Sequence, residues 1–322
     1  MEELEELKQG KGANMWFSVP ATYGDIICFI DSDIVSFKRH YIKLLCRPIL
    51  SNWVSGEKQT EKSEILFTKA SYIRQHKLRG RYTIGGRLSR LFGLPIFNIL
   101  ARHGIFNGLD SITYPFSGEY AITRGTLNQL QFSNGYDIEI SILCQLWKKF
   151  GADRIAQADF GFFRHLPGDE SHADEMLLEI SSALFYWIRK YGLLSKVGSI
   201  NKLLDEYEEA ANNMLPLFER LAVERPSKIN YTDEDKEIDR ERIQRYKEII
   251  REGYELSKTR KPKLLKPWAE IRDQMNARKG YSYENLKNAL QMRVNKFTSN
   301  TILSYIRIYV DRSGDIIRRF TE

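Results

Sequence analysis

Apolar positions along this chain change their period near residue 170. Before that point, short branched and aromatic runs alternate with stretches at helical spacing; after it, helical spacing continues almost alone. The run Asp25-Ile26-Ile27-Cys28-Phe29-Ile30, introduced by Gly24, predicts a buried strand of an α/β sheet. Residues 65–70, the end of Phe116-Ser117-Gly118-Glu119-Tyr120-Ala121-Ile122 and residues 154–158 predict further strands. Tyr41, Leu44, Leu45 and Ile49 predict a helix over 37–50. Others are expected over 91–100 and 126–132, and over 136–150 with Ile138, Ile142, Leu143, Leu146 and Trp147 turned inward. Residues 51–63 read as a polar excursion and 79–90 as a basic, glycine-containing loop. The first residues read as an acidic helical tag followed by a flexible Gly10-Lys11-Gly12.

Ser171, with Asp174 three residues later, predicts a capped helix start. Helical periodicity then covers 175–191, 200–222, 233–253 and 283–310, punctuated by Arg225-Pro226 and by Pro262 and Pro267. The expected organisation is an α/β catalytic-type domain over 1–170 and an all-helical region over 171–322.

Composition narrows this picture. The 322 residues suffice for one large core or a core with an appended module, and 42% hydrophobic with 28% charged residues is ordinary for a globular chain. No apolar run approaches the ~20 residues of a membrane span. The acidic opening Met1-Glu2-Glu3-Leu4-Glu5-Glu6 does not read as a secretory leader, so a cytoplasmic protein with no membrane partner is expected. Cys28, Cys46 and Cys144 lack C-x-x-C spacing, which predicts reduced, buried thiols and no cysteine metal site. The net charge of +7 comes without a basic-aromatic platform or helix-turn-helix pattern, and points to anionic small molecules rather than nucleic acid.

Candidate chemistry concentrates around Asp31-Ser32-Asp33, directly behind the first strand. Carboxylates at i and i+2 on a strand end can share a hard divalent cation and the phosphates it bridges, although acidic turn residues are also common there. Gly85-Gly86-Arg87-Leu88-Ser89 precedes a helix. It reads either as an anion cradle, with Arg87 offering a planar fork of donors, or as a solvated loop. Asp137 suits a helix N-terminus, whereas Glu139 lies one turn in and is free to aim at the sheet rim. Tyr136 offers a ring and a hydroxyl to a sugar. His165 is either a structural histidine or a partner of the Asp31–Asp33 pair around one cation. Lys11 is either a solvated lysine or a contact for a diphosphate.

In this order the segments resemble glucosyl-3-phosphoglycerate synthases, retaining nucleotide-sugar glycosyltransferases of the A-type fold. The resemblance rests on Lys11 between glycines, Asp31-Ser32-Asp33, Gly86-Arg87-Leu88-Ser89, Gly118-Glu119-Tyr120-Ala121, Tyr136 with Glu139, and the stretch from Ile155 to His165. It covers about residues 9–168. It implies that Asp33 and His165 hold Mg²⁺ or Mn²⁺, and that Lys11, Asp31, Ser32, Asp33 and Phe116 meet the donor, UDP-glucose being favoured. Gly86, Arg87 and Ser89 would hold the phosphate of 3-phosphoglycerate. Tyr136 and Glu139, with Asp33, would form the catalytic pocket. It also implies a compatible-solute precursor as product and a homodimer formed through the helical region. In this family the D-x-D motif follows about a third of the catalytic domain, so the sheet is expected to be N-terminally truncated. A mannosylglycerate-type synthase and an inactive remnant serving oligomerisation are the alternatives.

Overall fold

The computed structural model describes residues 10–54, 64–78, 80–166, 170–224, 229–277 and 282–288. Its α/β part is built on a mixed five-stranded sheet. The strands are β1 (Ile26–Phe29), β2 (Phe67–Leu78), β3 (Arg81–Ile84), β4 (Tyr120–Thr123) and, after the two-residue β5 (Phe132–Ser133), β6 (Ile155–Arg164). β2 is the hub. β4 lies antiparallel against its first residues, with β1 beyond β4; β3 returns antiparallel along its last residues, and β6 runs parallel along the opposite edge.

Side chains alternate between two faces, as strand geometry requires. Phe67, Tyr120 and Ile122 enter a large cluster shared with helices Leu94–Arg102, Ile138–Phe150, Glu170–Lys190, Ile200–Glu224 and Asp233–Thr259. Ala70, Tyr72 and Ala121 enter a smaller one beneath helix His40–Val54, with Tyr41, Leu45, Ile49, Phe160 and Phe163. Covered on both sides, the middle of the sheet buries the largely apolar β4 as well as Thr68 and Lys69 of β2.

The large core passes through residue 170 without interruption. The two ends of the described chain also meet. Trp16, on helix Lys11–Ser18, stacks on Trp268 of helix Trp268–Asn276 at 4.3 Å. Each indole N–H donates to a carbonyl of the other segment, Trp16 to Lys266 at 2.9 Å and Trp268 to Trp16 at 2.8 Å.

Several expectations are corrected. Residues 79–90 are not simply a loop: Arg81–Ile84 form β3, and Leu88–Gly93 form a π-helical turn that continues into Leu94–Arg102. Over 126–132 only the turn Arg124–Leu127 is helical, and Phe132 is on β5. Gly10-Lys11-Gly12 is the seated start of a helix. A Cβ on Gly12 would fall 1.8 Å from the Ser133 carbonyl oxygen, so only glycine allows that approach. Ser171 is inside helix Glu170–Lys190 and does not begin it. The region after 170 is helical as expected, and within it the two-residue β7 (Leu264–Leu265) pairs with β5. β1 borders the sheet and leaves Cys28 half-buried, its sulfur 3.4 Å from that of Cys46. The expected acidic tag, most of the 51–63 excursion and the part of the 283–310 helix beyond 288 lie outside the described residues. No helix among those described is long and apolar enough to cross a membrane.

Candidate functional site

The strand ends and the β3 hairpin frame a cavity of about 360 Å³. On one side, the turn after β1 carries Asp31. Its carboxylate is pressed against Gly118, where a Cβ would fall 2.2 Å from Oδ2. The next residue, Glu119, is fully buried directly before β4, and the Tyr72 hydroxyl donates to its Oε2 at 2.9 Å. His165 follows β6 and is bridged to Ile34, while the Leu166 amide donates to the Asp33 carbonyl at 2.8 Å. This backbone lacing sets the imidazole beside the D-x-D turn. Its Nε2 is 3.5 Å from Glu119 Oε1.

Asp31, Glu119 and His165 each place a ligand atom within 4.8 Å of the others. Glu119 Oε1 and His165 Nδ1 are buried without hydrogen-bond partners among the described residues. Leaving such atoms unmet is costly, and two carboxylates with an imidazole suit a divalent cation. The donor set therefore fits Mg²⁺ or Mn²⁺. The expected pair was Asp33 with His165; Asp31 and Glu119 are further carboxylates gathered beside that imidazole. Asp33 also faces the cavity, where its charge acts on Arg74.

Lys11 reaches across this acidic group. Its Nζ is 2.7 Å from Glu139 Oε1 and 3.1 Å from Asp31 Oδ1. Burial alone would lower the pKa of this ammonium, but the Glu139 and Asp31 carboxylates outweigh it and hold the lysine above its ordinary value. Beneath lies Lys69, 1% exposed, donating to the Ser117 carbonyl at 2.9 Å and packed on the Phe67 and Tyr120 rings. Burial brings it down to about 8, with Glu139 opposing the fall and Lys11 adding to it. Asp31, Glu119 and Glu139 thus face two ammonium groups, leaving negative charge in excess at a place where a cation fits.

The opposite wall is basic. Gly86 has a φ of 73°, and a Cβ there would meet the Tyr114 hydroxyl at 2.2 Å, so the turn before Arg87 needs glycine twice over. Arg87 lines the cavity. Ser89 also borders it, but its buried hydroxyl accepts from the Phe116 amide at 3.2 Å and so also fixes that loop. The Phe116 ring stacks on Phe92. Tyr136 borders the cavity near His172, and its amide donates to Glu179.

Of the residues singled out from the sequence, Lys11, Asp31, Asp33, Gly86, Arg87, Ser89, Phe116, Tyr136 and His165 line this one cavity. Ser32 is exposed on the turn, and Glu139 lies behind Lys11. Sequence reasoning gave no role to Glu119 or Lys69. Their signal was a charge directly before or within a short strand, as in Glu119-Tyr120-Ala121-Ile122 and Phe67-Thr68-Lys69-Ala70.

No protein-family model matches the chain. Among curated proteins, the glucosyl-3-phosphoglycerate synthase of Petrotoga mobilis is 30% identical over 237 residues, covering 72% of this chain and 68% of that protein. That of Mycobacterium tuberculosis is 33% identical over 164 residues, 49% of this chain and 46% of that one. A crystal structure of the Mycobacterium tuberculosis synthase with Mn²⁺, UDP and glucosyl-3-phosphoglycerate is similar at 29% identity and a TM-score of 0.44, over 55% of this chain and 54% of that one. The chain spans about half the length of the mycobacterial relatives and about two thirds of the Petrotoga protein.

Proposed function

Because the chain belongs to the glucosyl-3-phosphoglycerate synthase family, we propose that it transfers glucose from UDP-glucose to 3-phosphoglycerate with retention, yielding a compatible-solute precursor. One observation carries the reading. A cation-binding group of Asp31, Glu119 and His165 shares its cavity with Lys11 and with the Gly86-Arg87 turn. A nucleotide diphosphate and a phosphorylated acceptor need those two kinds of wall.

In this reading His165 and the carboxylates of the Asp31–Asp33 turn, with Glu119 behind them, hold the divalent ion. Bound there, Mg²⁺ or Mn²⁺ supplies positive charge against the diphosphate as it departs. Lys11 adds a second, fixed charge at the same place, which is electrostatic stabilisation of the transition state. The remaining donor contacts are Ser32 and Phe116. Gly86, Arg87 and Ser89 hold the acceptor phosphate, and Tyr136 closes the sugar side. Glu139 is committed to Lys11 at 2.7 Å, so it serves to aim that ammonium and is not a covalent nucleophile. Retention then follows from attack by the acceptor hydroxyl on the face that the diphosphate leaves. The same reading makes residues 1–170 the catalytic part, 171–322 a helical region that joins two copies, and the cytoplasm the site of action.

Calorimetry with UDP tests it directly. UDP binding is expected to require Mn²⁺ or Mg²⁺ and to fall at least tenfold in His165→Ala. Metal-independent binding, or none, would remove the catalytic reading and leave an inactive oligomerisation module.

A further inference from the structure

The fold sorts the three cysteines of the chain into one isolated thiol and one pair. Cys144 is fully buried in the large core. Cys28, on β1, packs on the smaller cluster across the sheet, and Cys46 reaches it from helix His40–Val54, which covers that cluster. Their sulfurs are 3.4 Å apart, one thiol donating to the other. A disulfide bond is ~2.0 Å long, so about 1.4 Å separates the pair from a covalent link. The two thiols differ in access. Cys28 is half-buried on the end strand of the sheet, whereas Cys46 is 7% exposed. A reagent therefore meets Cys28 first, with Cys46 already in contact behind it.

Their positions in the chain matter as much as their contact. Cys28 and Cys46 are 18 positions apart, and the segment between them carries Asp31, Ser32 and Asp33. On the side of β6, backbone bonds hold this segment. Ile34 is bridged to His165, the Val35 amide donates to the Arg164 carbonyl, and the Leu166 amide donates to that of Asp33. The two flanks of the segment, β1 and the helix, meet at the sulfurs. A bond there would close a covalent loop around the D-x-D turn and restrict the unfolded chain more than the folded one.

We propose that Cys28 and Cys46 form a dithiol modification site for small disulfides, and that its oxidised form staples the two flanks of the D-x-D turn. The Cys28 thiolate attacks one sulfur of the reagent, forming a mixed disulfide and releasing one thiol. The Cys46 sulfur then attacks the Cys28 sulfur and releases the second. Both cysteine sulfurs are oxidised, both reagent sulfurs are reduced, and the two cysteine protons leave on the released thiols. Neither Cys28 nor Cys46 lines the cavity, so the transferase reading neither requires nor forbids this chemistry.

The test uses the whole folded 322-residue chain, with glutathione disulfide as the reagent. After acid quenching, denaturation and alkylation, peptide mapping should show Cys28 joined to Cys46, two hydrogens lighter than the reduced pair, with Cys144 alkylated. Dithiothreitol should restore three free thiols. The linked chain should melt about 5 °C above the reduced one, as befits closure of a short loop in a chain of this size. In Cys46→Ser, Cys28 should stop at the mixed disulfide; in Cys28→Ser, Cys46 should react at least tenfold more slowly than that. Three free thiols after treatment of the wild type, glutathione retained on its Cys28, or a link that includes Cys144 overturns the site. A linked chain that melts no higher than the reduced one overturns the staple. UDP binding enters none of these readouts, so their failure and that of the transferase reading are separate.

Discussion

At the scale of single residues, the site is a set of charges held where water would otherwise be preferred. Asp137 shows what this costs. It occupies the N-cap position of helix Ile138–Phe150, yet its side chain makes no capping bond. Burial raises its pKa from 3.8 to about 7, and the nearby Glu179 adds to the rise. A carboxyl that ionises later in the folded state than in the unfolded chain favours folding at low pH. That advantage is complete below about 4 and is lost as pH rises through about 7. Asp137→Asn keeps a good N-cap residue and removes the titration. The variant should therefore melt higher than wild type at pH 8, by up to about 4 kcal/mol of stability, with the gain shrinking as pH falls towards 4. Thermal melts across that range check it, and an offset independent of pH would show that Asp137 is not the group responsible.

At the scale of elements, the short helix Lys11–Ser18 governs where the Lys11 ammonium lies. The Ala13 amide donates to the Asn134 carbonyl at 3.2 Å, and the glycines on either side of Lys11 let the backbones touch. Gly12→Ala would drive a methyl group into the Ser133 carbonyl. A loss of about 1–3 kcal/mol is expected from such overpacking, together with weaker Mn²⁺-dependent UDP binding as Lys11 shifts. Denaturant midpoints read the first and calorimetry the second; Asn14→Ala, on the exposed face, should change neither. Gly10-Lys11-Gly12 was visible in the sequence as a motif, but its partner surface was not, because Ser133 and Asn134 are distant in the chain. Strand β1 and helix Ile138–Phe150 were legible from apolar period alone. The second halves of β2 and β6 were not. Arg74-Gln75-His76-Lys77 carries no apolar alternation, and pairing with β3 and β6 makes it strand. The same limit hid Glu119 and Lys69, whose burial depends on strands that meet only in the fold. Cys28 and Cys46 likewise become neighbours only when helix His40–Val54 packs on the sheet.

At the scale of the molecule, the catalytic-type sheet and the helical region share one core and one cavity. Arg81, Arg90 and Asp239 join them beside the basic wall, and the Trp16–Trp268 stack joins them behind the acidic one. The second junction lies outside the cavity yet bears on it, since Trp16 is on the helix that begins with Lys11. Trp268 is 4% exposed, and its indole N–H is satisfied by the Trp16 carbonyl. Truncating it removes a large buried ring and one of the two donors to the Trp16 carbonyl, the Val19 amide being the other. Trp268→Ala should cost about 3–5 kcal/mol, and should also weaken Mn²⁺-dependent UDP binding, although residue 268 touches none of the groups around the ligand. Trp268→Phe, which keeps the stack and loses the hydrogen bond, should fall between. If Trp268→Ala lowered the melting temperature but left UDP affinity at the wild-type value, the position of Lys11 would be set without Trp268, and the helical region would act on the site only through its own cavity-lining residues, Asp239 among them.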